Sequence, residues 1–366
     1  MAVVNERAER ILESPQGEAL ARHIITYDPD QPATRLFAET AFEARAPLSP
    51  IPWPAGLAPE TVTPSAPPSP ERALPKAEVL VVTWTVAEAK ALADVLTPGR
   101  TSTEWSSYRH NFENDYKPLI RRGAPALESD RLGVYSQCRI GGRSVLCVKS
   151  ELHLSQDGSH LPVRALWKQM IAESGAELVI TTGTAGGVGA ETQLGDVVVT
   201  KTVQFDCKRT FEGASFAKAL YSDPITAGAS STQFATAVKS LIPANANRLP
   251  LAPRTPTLVL ASETETPAVL TTDFFAFDDT TDSYGLRSYN PRARAVEMGD
   301  AVLGLVCSQD LSHPPAWVIV RNASDPQMGG GASLKEQANE AAKIYEKYGY
   351  WTTVGSAIAC WALIAG

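Results

Sequence analysis

Little in this chain speaks for chemistry through sulfur. Its five cysteines, Cys138, Cys147, Cys207, Cys307 and Cys360, are odd in number, far apart and never spaced as CxxC, which argues against a zinc site or a redox pair. Several sit in apolar runs such as "VLCV" and "GLVCS", the setting of buried thiols in a reducing compartment. Positive charge is short as well: 33 Lys and Arg face 40 Asp and Glu, for a net charge of −7. No global basic field can hold a nucleic-acid backbone or an anionic membrane, so nucleic acid and membrane are not expected partners; only a local basic pocket stays open. Long apolar runs are missing too. The most hydrophobic segment, "YWTTVGSAIACWALIAG", is shorter than the roughly 20 residues a membrane span needs. Threonine, serine and glycine interrupt it, and it reads as a buried terminal helix. The opening "MAVVNERAERILESPQ" holds acidic side chains and no apolar stretch of signal-peptide length, so cytoplasmic residence is expected. Neither a GK[ST] phosphate loop nor the GxGxxG order is present, and no solenoid-like repeat is apparent.

What remains is ordinary globular composition, 44% apolar over 366 residues, enough for one large core or two modest ones. Residues 1–45 carry amphipathic helical patterns in "ERAERILES" and "EALARHII". Ten prolines then crowd residues 46–75, and proline's locked φ and missing amide exclude helix or central strand there. Residues 46–76 therefore read as a semi-rigid linker, with the alternative that they drape over the domain or a partner subunit with Trp53 as an anchor. From residue 77 to 366 short apolar runs alternate with helical patterns: "EVLVVTW", then "VAEAKALADVL", a hairpin across Gly141 and Gly142, "PVRALWKQMIAES", "ELVITTG", "DVVVTKTVQFD", "AWVIVRNAS" and a last helix from "SLKEQANEAAKIYEKYG". Strands apolar on both faces that alternate with helices predict a single α/β domain, a three-layer arrangement with a mixed, mostly parallel central sheet.

In such sheets ligands bind beyond the carboxyl ends of the strands. That rule selects four places, which contain Glu88, Ser150, the loop "GTAGGVG" and the pair Ser324-Asp325. Glycines 183, 186 and 187 allow the backbone to approach a ligand closely.

Three motifs in order, "TTGTAGGVGAETQLGDVVV", "AVEMGDAVLGLVC" and "VIVRNASD", resemble the purine nucleoside phosphorylase superfamily and, within it, the methylthioadenosine/S-adenosylhomocysteine nucleosidases. The resemblance covers residues 77 to about 342. It implies that Asp325 acts as general acid toward a departing purine, a role suited to a partly desolvated carboxylic acid. It implies that Glu88 activates the attacking water, although Thr85-x-x-Glu88 also fits a capping box. Threonines stand before the glycine loop where a phosphorylase would carry a phosphate-gripping arginine, which favours water as nucleophile. Gly183, Ala185, Gly186 and Ser324 would line the nucleoside, Ser150 would lie on the ribose side, and Phe275 would stack on the base with Phe274 as its understudy, one of the two being core. Glu297 and Met298 would hold the sugar. His153 and Asp157, in the unusual "ELHLSQDGSHLP", read as surface or capping residues, with sugar contact the alternative.

One departure stands out: the family's second glutamate of "VEME" is Gly299 here, and the adjacent Asp300 points about 100° away on a helix. The expectation is a purine nucleosidase for an adenosine-type nucleoside or nucleotide, with no metal or organic cofactor and a homo-oligomeric state. Arg109, Arg164, Arg292 and Arg294 are candidates for gripping 5′-phosphates. A non-catalytic nucleoside-binding or storage protein and a purine nucleoside phosphorylase are the alternatives.

Overall fold

The computed structural model describes residues 15–37, 45–64, 67–223, 232–261 and 265–366. The helical pattern "ERAERILES" lies outside them.

Burial on both faces selects the centre of the sheet. Strand β2 (Val79–Thr83) is buried at all five positions, and it pairs in parallel with β5 (Arg143–Ser150) on one side and β6 (Leu178–Gly187) on the other. All ten residues of β6 are buried, and the strand continues in parallel beside β13 (Ala316–Asp325). Outward from β5 come its hairpin partner β4 (Gly133–Ile140) and the edge strands β1 (Glu60–Val62) and β3 (Ser106–Tyr108). Outward from β6 come β12 (Ala293–Glu297), β11 (Ala268–Thr271), β8 (Thr202–Phe205) and β9 (Leu220–Ser222). Strand β13 also pairs with β7 (Val197–Thr200), which carries the two-residue β10 (Leu258–Val259). Parallel pairing runs through β5, β2, β6 and β13 and again through β12, β11 and β8, while β4–β5, β6–β12 and β13–β7 are antiparallel, a mixed sheet as expected.

The period of two along β2 sorts its side chains into two cores. Leu80 and Val82 pack in the cluster that contains α3 (Pro162–Ser174) and α4 (Ala301–Gln309). Val79 and Val81 face α2 (Val86–Leu96) and α5 (Leu334–Ala365) instead. Helices therefore cover both faces, giving the three-layer α/β arrangement. The apolar C-terminal segment forms the second half of α5, where Cys360 and Trp361 are fully buried. No helix among the described residues is long and apolar enough to cross a membrane. All five cysteines are free and buried.

The described part of the proline-rich segment lies on the domain. Trp53 packs on Trp361 at 4.8 Å between ring centroids, Trp361 Nε1 donates to the Leu57 carbonyl at 2.6 Å, and β1 pairs with β4. The proline-free run "ETV" is what permits that edge pairing. Before it, α1 (Pro15–Thr26) packs against α5, with Leu20, Ala21 and Ile25 buried.

Candidate active site

The carboxyl ends of β2, β6, β12 and β13 converge on one cavity of about 80 Å³, room for several waters. On its first wall stands Glu88. Thr85 is the N-cap of α2, its hydroxyl accepting from the Glu88 amide at 3.2 Å, and the Glu88 side chain returns to the Thr85 amide at 2.9 Å. The capping box is therefore real, and the same carboxylate also lines the cavity. Glu88 Oε2 further accepts from Trp84 N and Thr83 Oγ1, and Oε1 from the amide and hydroxyl of Thr184, both at 2.7 Å. Burial opposes its charge, but Arg321 Nη1 at 4.0 Å and these donors outweigh that cost and hold the carboxyl below its ordinary range. Glu88 is an anion fixed in place. Gly183 makes this position attainable: it has φ of +143°, and a Cβ there would lie 2.4 Å from the Glu88 carboxylate.

Asp325 occupies the opposite chemical state. It ends β13, where the register with β6 shifts opposite Gly186, and its Oδ1 accepts from Ser324 Oγ at 3.0 Å. Burial raises its pKa from 3.8 to about 7, the Ser324 hydrogen bond only partly opposing. A Cβ on Gly186 would lie 3.2 Å from Asp325 Oδ2, so the glycine keeps the carboxyl's approach open. The cavity thus holds one carboxyl fixed as an anion and another that is about half protonated at neutral pH.

Between them lies Arg321, a single arginine in a strand otherwise buried and uncharged up to Asp325. Its Nε and Nη2 grip Asp300 bidentately at 2.7 and 2.6 Å, Nη2 lies 3.5 Å from Glu297 Oε2, and its guanidinium sits 4.8 Å from the Trp84 ring. One cation cannot balance three carboxylates, and Glu297 is the one that yields. Burial and the Asp300 charge drive its pKa well above the carboxylate range, with Arg321 opposing. Glu297 also hydrogen-bonds the Thr271 hydroxyl and accepts from the Asp300 amide at 3.0 Å.

Most of the residues singled out in the sequence meet here: Glu88, Ala185, Gly186, Phe275, Glu297, Met298, Ser324 and Asp325 all line the cavity. Two do not. Gly183 acts from behind Glu88, and the Ser150 hydroxyl is spent on the backbone of Leu152, donating to its carbonyl and accepting from its amide at 3.1 Å. Phe274 is core, stacked near Tyr284. Asp300 is fully buried against Arg321 and does not replace a sugar-facing carboxylate. His153 corrects the surface reading: it is 4% exposed, lines the cavity and has its Nε2 without a partner. Burial and Lys149 push its pKa down to about 3, so the ring is neutral. Asp157 is buried too, and its Oδ2 caps the His153 amide at 2.7 Å. The candidate phosphate-binding arginines are elsewhere: Arg109 pairs with Glu71, Glu113 and Asp130, Arg164 with Asp310, and Arg294 with Glu191 and Glu265, while Arg292 does not line the cavity.

Sequence reasoning missed Arg321, Trp84, Tyr345 and Ile24, all of which line the cavity. Only Arg321 carried a signal, since a lone arginine inside "AWVIVRNASD" demands buried partners. Trp84 takes the place beside Gly299, whose Cβ would lie 3.5 Å from the indole. Among the described residues no cluster of His, Cys, Asp and Glu suits a metal ion.

The chain has likenesses among known proteins. It is similar to solved 5′-methylthioadenosine/S-adenosylhomocysteine nucleosidases from Colwellia psychrerythraea, in complex with adenine (18% identity, 80% of this chain and 96% of that chain covered, TM-score 0.48), and Neisseria meningitidis, in complex with methylthio-immucillin-A (18%, 78% and 98%, 0.45). It is also similar to a futalosine hydrolase mutant of Helicobacter pylori (14%, 80% and 99%, 0.46). No curated protein matches the chain. A family model does, the phosphorylase superfamily, over residues 113–347, a span that holds Phe275, Glu297, Arg321 and Asp325 but stops short of Glu88, Trp84 and α1. With more than half of its length in that match, the chain belongs to the phosphorylase superfamily.

Proposed function

We propose that the protein is a purine nucleosidase that cleaves the N-glycosidic bond of an adenosine-type nucleoside with water. The observation that carries this reading is the pair of carboxyl groups on one cavity, Glu88 held as an anion and Asp325 raised to about 7. Hydrolysis at a glycosidic carbon needs both: an acid to neutralise the departing purine and an anion to orient water and favour the cationic sugar. Asp325 passes its proton to the purine as the carbon–nitrogen bond breaks. Water held by Glu88 bonds to the anomeric carbon, and its released proton restores the acid. Five donors surround Glu88, so its part is to position and stabilise more than to act as a strong base. Phe275 offers a ring for the base, a stacking contact commonly contributing about 1–3 kcal/mol, and Glu297 and Met298 lie where they could meet the sugar.

Phosphate as nucleophile is disfavoured by charge. Arg321 is the only Lys or Arg among the described lining residues, and Asp300 already holds it bidentately. A second reading, a nucleoside-binding protein without turnover, draws on Gly299 and on the saturation of Glu88. The test is chromatographic detection of free base from adenosine, methylthioadenosine, inosine, AMP and ATP, with and without phosphate, beside Asp325→Asn. Base release independent of phosphate and lost in the variant is expected. Release only with phosphate would make the protein a phosphorylase; binding without release would make it a binding protein.

A further inference from the structure

The helix that precedes the proline-rich segment has a surface that the catalytic reading leaves unused. Ile24 and Ile25, near the end of α1, line the same cavity as Glu88 and Asp325. The helix is firmly docked there. Tyr345 of α5 donates its hydroxyl to the Ile24 carbonyl at 3.0 Å and lies 3.0 Å from Thr85 Oγ1, tying α1 to the N-cap beside Glu88. Just past the helix, the Tyr27 hydroxyl donates to the Glu346 carbonyl at 2.8 Å, and Lys90 of α2 pairs with Asp28 and Asp30 at 3.1 and 2.9 Å. Ile25 is 3% exposed.

His153 faces the same cavity, and Glu88 is among the charges that act on its ring. Among the described lining side chains, His153 Nε2 is the buried polar atom without a hydrogen-bond partner. Buried polar atoms are rarely left unmet, and one on a residue that lines a cavity calls for a ligand atom or a water. The groups nearby complete the pattern: Glu88 lines the cavity as a fixed anion beside the carboxyls of Glu297 and Asp325, and Arg321, the guanidinium among the described lining residues, is engaged by Asp300.

We propose that the chain completes its own pocket, with α1 as a working wall: Ile24 and Ile25 make the apolar contacts and His153 the hydrogen bond to the ligand's substituent on the Glu88 side, so that uncharged substituents are admitted and phosphates refused. This rests on the nucleoside reading above. It gives the segment before the proline-rich stretch a function in substrate selection. A phosphate placed there would meet apolar carbon and the Glu88 anion, with no free cation among the described lining residues to neutralise it.

The test uses the full-length protein, with Ile24→Ala, Ile24→Leu, His153→Phe and, as a control on the exposed side of α1, Thr26→Ala. Phosphate-free base release is measured from methylthioadenosine, adenosine and AMP. Wild type is expected to rank them in that order. Ile24→Ala should lower the preference for methylthioadenosine over adenosine about tenfold, the scale of a lost hydrophobic pocket contact, with Ile24→Leu restoring most of it. His153→Phe should raise KM about fivefold, the scale of one hydrogen bond, with a smaller effect on kcat. Thr26→Ala should match wild type. AMP cleaved as well as methylthioadenosine, or preferences unchanged in both Ile24→Ala and His153→Phe, overturns the proposal. Calorimetric binding of the same three ligands to Asp325→Asn, alone and combined with Ile24→Ala, separates the two readings. A methylthioadenosine preference that Ile24→Ala abolishes supports the wall even if wild type turns nothing over. Absence of binding by all three overturns the wall and the nucleoside reading together.

Discussion

Replacing Asp325 by Asn should abolish base release and, above neutral pH, make the protein more stable. The carboxyl is 8% exposed, and its pKa rises from 3.8 to about 7 on burial. A raised carboxyl binds its proton more tightly in the folded than in the unfolded chain. Between about pH 4 and pH 7 the native state therefore holds more protons, and stability falls as pH rises, by up to about 1.4 kcal/mol per unit. Above pH 7 both states are ionised and the loss is complete. The gap of about 3 pH units, at 1.36 kcal/mol each, sets a ceiling of about 4 kcal/mol. Asparagine carries no charge to desolvate and can keep the Ser324 hydrogen bond. The variant should exceed wild type by up to about 4 kcal/mol at pH 8 and by only about 1.5 kcal/mol at pH 5, water in the cavity reducing both. For a chain of this size, with an unfolding entropy of about 0.8 kcal/mol/K, the larger figure is about 5 °C in melting temperature. Urea denaturation of both proteins at pH 5, 6, 7 and 8, beside base release, checks this. A gap that does not widen with pH, or a wild type more stable at pH 8, would refute the claim that burial sets this acid. The same shift predicts that wild-type kcat/KM declines above about pH 7, as Asp325 loses its proton.

Three further substitutions probe the rest of the cavity. Glu88→Gln keeps the size of the cap but turns an NH2 toward donors. We expect about 1–3 kcal/mol of destabilisation and at least about a hundredfold loss of base release; stability loss with an unchanged rate would leave Glu88 as a cap alone. Gly183→Ala places a Cβ 2.4 Å from the Glu88 carboxylate at a φ of +143°, so activity and urea midpoint should fall together, the backbone cost being on the order of 1–3 kcal/mol. Gly299→Glu should impair turnover by itself: its Cβ would lie 3.7 Å from Glu297 Oε2, so the new carboxylate would join Glu88, Glu297 and Asp300 around Arg321, and Gly299→Gln, without that charge, should impair it less, as kcat/KM on the same nucleosides would show.

Periodicity made the fold legible. "EVLVV", "ELVI" and "AWVIV" are apolar on both faces, which only the middle of a covered sheet accommodates, and they are β2, β6 and β13. Their carboxyl ends then indicated where a site should be, and the resemblance to the nucleosidases singled out Glu88 and Asp325 among the residues there. Walls built across long sequence distances were not legible. Ile24 reaches the cavity because α1 docks on α5, where Tyr345, 321 residues away, holds its carbonyl. An isoleucine in an amphipathic helix gives no sign of that. His153 was misread because a polar segment between elements looks solvated, whereas Asp157 folds it inward by capping its amide.

Gly299 looks in the sequence like a simple loss of a sugar-binding group, and the surrounding residues give it a different meaning. The indole of Trp84 fills the space beside it, and the Arg321 guanidinium lies against that same ring. Asp300, one residue on, supplies the bidentate carboxylate that holds Arg321. Burial and the neighbouring Asp300 raise the pKa of Glu297, which favours its protonated form, able to donate as well as accept a hydrogen bond. A glutamate at position 299 would stand in contact with Trp84 and add a fourth carboxylate around a single cation. Trp84, Gly299, Asp300 and Arg321 therefore form one arrangement in space and charge, so a change at any one of them should be read in combination with the others.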